Sequence, residues 1–293
     1  MLKRLYKILF LSVYLFSSSF AVIARNYITG KAFKGIADYI VEKGSHNFNP
    51  ETVAKGSIIY IEADHIGYFF EKVFPKLREP IIVLSHNSDA SAPGKCVKYL
   101  DDAKVIMWFG QNCDIAHHPK FCAIPIGTAN PEWEHGNQKI LDEVLDKVDA
   151  QVVKTGAPYM YMNFAVSTNP VRSMLYDAFK NKDFVVRVPP KPFREYLLEM
   201  ACFRYVLSPW GNGLDCHRTW EALLVGAIPV VNTSTLDPLY VDLPVIIVED
   251  WSMITKDFLE KQHKKMITKS FDKSKLFFDY WRNLITTTKE QNR

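Results

Sequence analysis

The residues with the clearest chemical potential lie between Tyr205 and Val231, in YVLSPWGNGLDCHRTWEALLVGAIPVV. An apolar run ends at Leu207, and Ser208, Pro209, Gly211, Asn212 and Gly213 form a turn. Arg218 then falls early in a stretch where Trp220, Leu223 and Leu224 recur at helical spacing. A glycine loop feeding a helix N-terminus offers backbone N–H groups and the positive end of the helix dipole to an anion, and a guanidinium adds a charge-assisted contact. The chemistry indicated is anion binding. A bland alternative is that Arg218 pairs with Glu221 or Asp215 on the helix surface and that His217 packs as a satisfied histidine.

Absent motifs narrow the class of anion. Gly30 and Gly35 have P-loop spacing, but Ile36 stands where that loop needs lysine. Gly211 and Gly213 begin a dinucleotide fingerprint, but Cys216 occupies the place of its third glycine. The chain has no G-x-S-x-G, no H-E-x-x-H and no D-x-D. An anion site built without a metal, from backbone and cationic side chains, fits what remains.

The elements that must position these residues read as alternating strands and helices. Asp215 can cap the helix after the glycine loop, Gly226 stops it, and Ile228 to Val231 is the next strand. Upstream, a helix-like stretch runs from Phe33 to Glu42. It is followed by strands at Ser57 to Ile61, Pro80 to Leu84, Val105 to Phe109 and Cys122 to Ile126, with helices at Ile66 to Val73 and Lys95 to Leu100. Short apolar runs separated by helices are what a parallel sheet covered on both faces produces. A charged helical segment from Asn137 to Val153 ends at Gly156 and Pro158, the expected domain boundary. The second set comprises strands at Tyr159 to Phe164, Phe184 to Val188 and Val245 to Val248, with helices at Pro170 to Lys180 and Phe193 to Cys202. Charged helices at Asp257 to Met266 and Lys273 to Thr286 close the chain.

The expectation is an α/β fold of two Rossmann-like, doubly wound domains facing a cleft. Residues 25–155 form the first, 156–270 the second, and 271–293 a helix packing back on the first. At 293 residues the chain exceeds the size at which one core grows comfortably. Ligands of such sheets bind beyond the carboxyl ends of the strands.

Charge argues against nucleic acid as a partner: 36 basic against 32 acidic side chains leave +4, with no basic stripe interleaved with aromatics. The C-terminal lysines, among them Lys261, Lys264, Lys265 and Lys269, read as a solvated helix face. Residues 1–24 have the layout of a secretory signal or uncleaved signal anchor: Lys3, Arg4 and Lys7 precede an apolar run from Ile8 to Phe16, with small residues at Ser19, Ala21 and Ala24. The expected location is the secretory pathway, a periplasm or a membrane-anchored state, with membrane contact through this segment alone. Five cysteines are an odd number. Cys113 and Cys122 bracket His117 and His118, for which a disulfide is a better reading than zinc.

The stretch SPWGNGLDCHRTWEALLVGAIPVV resembles the C-terminal donor-binding motif of exostosin-like glycosyltransferases, which have the two-domain GT-B architecture. The likeness extends through SHNSDASAPG (Ser85 to Gly94), WFGQN (Trp108 to Asn112), IPIG (Ile124 to Gly127) and NFAVSTNPVR (Asn163 to Arg172), and so covers most of the chain after residue 24. It implies transfer of a sugar from a nucleotide-sugar, UDP- or GDP-linked, to a glycan or other hydroxyl acceptor. The C-terminal domain would hold the donor and the N-terminal one the acceptor, with no cofactor. The donor-binding set would be Asn163, Arg172, Ser208, Gly211, Asn212, Gly213, His217, Arg218 and Glu221. Arg218 and Arg172 would contact the diphosphate, His217 would donate a further hydrogen bond, and Glu221 would accept from ribose hydroxyls.

Two departures stand out. Trp210 occupies a loop position where similar sequences carry a charged residue, often arginine. Gly213 stands eight residues before Glu221, where retaining enzymes of this architecture often carry a second acid, which favours an inverting mechanism. An inverting transfer needs a general base at a strand end of the N-terminal domain. Asp89 is the first choice and His86 the second, with Asp64 and His65 also eligible by position. The competing reading is a non-catalytic relative that binds carbohydrate or nucleotide.

Overall fold

The computed structural model describes residues 25–148 and 160–292. The segment read as a signal or anchor, residues 1–24, and the boundary expected at Gly156 and Pro158 lie outside the described residues. No helix among the described residues is long and apolar enough to cross a membrane.

Two sheets, both rich in parallel pairing, make this an α/β fold. The first contains β1 (Tyr39–Glu42), β2 (Ser45–His46), β3 (Ile58–Glu62), β4 (Ile81–His86), β5 (Val105–Gly110) and β6 (Phe121–Ala123), in the order β2-β1-β3-β4-β5-β6. Every pair is parallel except the β1–β2 hairpin. That hairpin corrects the helix expected over Phe33 to Glu42. The helix, α1, spans only Gly30–Lys34, capped by the Thr29 side chain. Tyr39, Ile40 and Val41 then favour a strand. Lys43 and Gly44, at φ 52° and 64°, make the tight turn that suits a two-residue hairpin.

The first sheet also departs from the doubly wound order. β1, β3, β4, β5 and β6 lie side by side in sequence order, so the connections accumulate on one face. There Phe69, Phe70, Val73 and Phe74, from the helical stretch that follows β3, bury Ile59, Ile61, Ile81, Val83 and Trp108. Residues one position along each strand face the other way. Ile58, Tyr60, Ile82, Leu84 and Phe109 join one apolar cluster with Tyr161, Val206, Trp220, Leu223 and Trp281. The second face of this sheet thus belongs to one apolar cluster with Phe33 of α1 and with residues of the C-terminal half, and that cluster runs through both sheets.

Helix α2 (Gln138–Leu145) precedes the second sheet, which contains β7 (Met160–Met162), β8 (Val185–Arg187), β9 (Tyr205–Leu207), β10 (Ile228–Asn232) and β11 (Ile246–Val248). All its pairs are parallel, in the order β11-β10-β9-β7-β8. This sheet is doubly wound. The chain adds β8 on one side of β7, then returns to add β9, β10 and β11 on the other. Helix α3 (Pro170–Phe179) links β7 to β8, α4 (Phe193–Met200) links β8 to β9, and α5 (His217–Leu224) links β9 to β10. After α6 (Lys256–Met266), the last helix, α7 (Phe278–Gln291), packs on the N-terminal half. Phe278 meets Phe33 edge to face at 5.2 Å, and Lys289 pairs with Asp38 at 2.6 Å.

The two halves are joined at the loop before α5. Asp215, expected to cap that helix, is instead one residue outside it; Cys216 holds the cap position and makes no side-chain cap bond. The buried Asp215 carboxyl accepts from the backbone N–H of Ile126 at 2.8 Å, from that of Cys216 at 2.9 Å and from the Trp220 indole at 2.9 Å. Its own N–H donates to the Asn112 side chain at 2.9 Å. The disulfide expected between Cys113 and Cys122 is not formed: both are thiols, and Cys113 Sγ donates to Ile115 O at 3.2 Å.

Candidate functional site

In a doubly wound sheet the crevice opens where strand order reverses, beyond the carboxyl ends of the strands. In this sheet that point lies between β7 and β9. A cavity of about 580 Å³ sits there, within the range of roughly 300–1,000 Å³ usual for ligand pockets. Asn163, Phe164 and Ala165, the residues immediately after β7, form part of its wall. Cys216, His217, Arg218 and Glu221 bring in the first turns of α5, and Lys191, Phe193 and Tyr196 come from the start of α4 and the loop before it. From the N-terminal half, among the described residues, Glu134 and His135 reach it.

Arg218 is held by backbone and ring contacts rather than by a protein carboxylate. Its Nε–H donates to Asn163 O at 3.0 Å, Nη1 lies 3.9 Å from Cys216 Sγ, and the guanidinium stands 5.5 Å from the Phe164 ring. No ion pair joins it to Glu221 or Asp215 among the described residues. Several of its five N–H donors therefore remain for an anion at the α5 N-terminus.

Arg172 has a different task. It is buried, and three of its N–H groups go to backbone carbonyls: Nε to Trp210, Nη1 to Ala165 at 3.4 Å and Nη2 to Pro209 at 3.2 Å. Burial and the like charge of Arg218 lower its pKa to about 10. It borders the cavity, but its main work is to clamp the β9–α5 loop onto the turn before α3.

Glu221 is a buried carboxyl, only 4% exposed, on the same wall. Burial pushes its pKa up to about 7, against the opposing effects of the Tyr196 hydroxyl, which donates to it at 2.9 Å, and of the Arg218 charge. A carboxyl poised this way accepts hydrogen bonds from ligand hydroxyls and loses its proton readily when they arrive.

The loop that suggested an anion cradle in the sequence is spent on structure. Ser208 is buried and shares a hydrogen bond with Thr219 at 2.9 Å. Gly211 lets the backbone approach Arg172, whose Nη2 would lie 3.1 Å from an added Cβ. At Gly213 an added Cβ would stand 2.5 Å from Asn112 Nδ2, so this glycine makes room for the N-terminal half rather than for a phosphate. Asn212 reaches out to Asp89 at 3.1 Å. None of the four lines the cavity, nor does Trp210.

His86 cannot serve as a base. It is 1% exposed, its Nε2–H donates to Pro125 O at 3.0 Å, and its Nδ1 accepts from the Asn87 N–H at 2.8 Å. With both nitrogens engaged, burial lowers its pKa to about 4. Asp89 is exposed, binds Asn212 and does not border the cavity. Asp64 accepts from Ser88, and His65 pairs with Glu62 at 3.4 Å; neither borders the cavity.

His217 borders the cavity beside Arg218, and its Nδ1 lies 2.8 Å from Gly127 O. His135 stands across from it, the ring centroids 6.4 Å apart. Sequence reasoning passed over Glu134, His135, Tyr196 and Lys191. Tyr196 carries a weak signal, lying on a helix that leads into the glycine-loop strand. Glu134 and His135 carry none, since their loop enters the site only through the way the two sheets pack.

No family model matches the chain, and no curated protein matches it. Among solved structures, the "Crystal structure of GtfA/B complex" is similar at a TM-score of 0.38 and 12% identity, over 81% of this chain. This chain spans 58% of the length of that one, and a likeness at this level carries no functional argument.

Proposed function

We propose that this chain transfers a glycosyl group from a UDP- or GDP-sugar to a hydroxyl of a glycan or other acceptor. One observation carries the reading. The cavity at the strand-order reversal combines a helix N-terminus and the guanidinium of Arg218, which has no carboxylate partner among the described residues, with the buried carboxyl of Glu221. The first two suit a diphosphate, and the third suits the hydroxyls of a ribose. Lys191 is paired with Glu199 at 2.7 Å and Arg172 is turned to backbone carbonyls, so the reading asks Arg218 and the helix N-terminus to meet the phosphates, without a divalent ion.

Donor binding would fall to the C-terminal sheet and acceptor binding to the side closed by Glu134 and His135. Gly213, packed against Asn112, has no room for the second acid of a retaining site, which supports an inverting transfer. The apolar N-terminal segment supports action in an exported compartment, free or anchored.

Titration calorimetry of the full chain with UDP and GDP tests the reading. One of the two should bind, and Glu221→Gln should weaken the ribonucleotide but not its 2′,3′-dideoxy analogue. Binding unaffected by Glu221→Gln would remove that residue from the donor site. Nucleotide binding without transfer or hydrolysis across a panel of nucleotide-sugars would favour a non-catalytic binding protein.

A further inference from the structure

His217 has the wrong polarity for a phosphate. The Gly127 carbonyl can only accept, so the hydrogen of the neutral imidazole sits on Nδ1 and the lone pair on Nε2. Nε2 has no hydrogen-bond partner among the described residues and is not sealed from solvent. A phosphate oxygen is itself an acceptor and finds no donor there. A hydroxyl does find a partner, and so the geometry corrects the donating role expected for this residue.

We propose that His217 is the base that takes the proton of the attacking acceptor hydroxyl, an assignment that rests on the nucleotide-sugar reading above. In the step, Nε2 accepts the hydroxyl proton and becomes imidazolium while the hydroxyl oxygen bonds to the anomeric carbon. The bond from that carbon to the phosphate oxygen breaks, and its electron pair leaves with the nucleoside diphosphate beside Arg218. Nε2 then returns the proton to solvent.

Three features besides the tautomer support this. The orienting carbonyl is itself fixed. Gly127 has φ 66°, an added Cβ would fall 2.2 Å from Ile28 O, and the next residue, Thr128, donates its N–H to that same oxygen at 2.8 Å. A base held by a rigid partner at its far nitrogen is the arrangement that makes histidine effective. The surroundings favour the neutral ring: burial and the charge of His135 lower its pKa, the Gly127 hydrogen bond and Asp89 oppose them, buried His86 lies close enough to feel its charge, and Glu134, Arg218 and Glu221 border the same cavity. Finally, the wall opposite is the route by which an acceptor would enter. Trp133, 59% exposed, sets its ring 5.7 Å from that of His135 and offers a flat apolar face to a sugar.

The test is His217→Asn in the full chain, because the asparagine amide nitrogen falls where Nδ1 stood and can still donate to Gly127 O. UDP and GDP affinities should stay within about threefold of native, while turnover of the productive nucleotide-sugar falls on the order of 10²- to 10⁴-fold. The acid limb of kcat/KM in the native enzyme, centred below pH 6.5, should vanish. Unchanged turnover and pH profile would overturn the proposal. So would a tenfold loss of nucleotide affinity with turnover preserved, the mark of a phosphate ligand. Should the variant fail to fold, Glu221→Gln, which removes the cavity carboxyl that titrates near pH 7, should keep an acid limb, and a flat acid side in that variant or in the native enzyme rejects the base. A native chain that binds neither UDP nor GDP would remove the nucleotide reading and this proposal together, before any variant is made.

Discussion

Glu221 shows how burial sets the working state of a single group. An exposed glutamate titrates near 4.5, and burial lifts this one to about 7. Between those values the folded chain holds a proton that the unfolded chain has released. The stability this contributes is complete below about pH 4.5 and is lost as pH rises through about 7. Glu221→Gln cannot lose a proton and should be free of that decline. Chemical denaturation at pH 5 and pH 8 should show native stability falling by more than that of the variant, by on the order of 1–3 kcal/mol. Equal falls would mean that the carboxyl is already ionised in the folded chain.

At the scale of elements, glycines make the close approaches. Gly136 lies in the loop carrying Trp133, Glu134 and His135, and an added Cβ would stand 2.0 Å from Asn130 O, a backbone atom that cannot step aside. Gly136→Ala should lower stability by about 2 kcal/mol or more, seen as a lower thermal midpoint. It should also weaken acceptor use more than nucleotide binding, because the displaced loop borders the acceptor side.

The central β9–α5–β10 unit was legible in the sequence because its cues are local: an apolar run, a glycine turn, helical spacing and Gly226, at φ 74°, after the last turn of the helix. The β1–β2 hairpin was not, since Ala37 to Glu42 alternates weakly and its turn is the inconspicuous pair Lys43 and Gly44. The site divides the same way. Arg218, Glu221, His217 and Asn163 lie beside local motifs and do meet at one cavity. His86 failed because β4 runs two residues past Leu84 and its last residue is held in the core by a partner 39 residues away, the Pro125 carbonyl, which no local pattern records.

For the molecule as a whole, the consequential feature is the core shared by the two sheets, pinned at Asp215. Burial raises the pKa of that carboxyl to about 6 even though several hydrogen bonds favour its charge. Asp215→Ala would leave the Trp220 indole and the Ile126 and Cys216 N–H groups without partners inside the junction. The expected cost is about 3 kcal/mol or more. Calorimetry should show one cooperative transition in the native chain and, in the variant, a lower and broader one or two separate ones. A variant as stable and cooperative as the native chain would mean that the halves are held by apolar contacts alone.

The proposed role of the cavity between β7 and β9, to receive a nucleoside diphosphate at Arg218, makes a quantitative prediction. Calorimetric titration of native chain and Arg218→Ala with UDP and GDP tests it most directly. One nucleotide should bind the native chain, and the variant should bind it 10- to 100-fold more weakly, about 1.4–2.7 kcal/mol, with its thermal midpoint little changed. Equal affinities in the two proteins, or no binding of either nucleotide by the native chain, would contradict it.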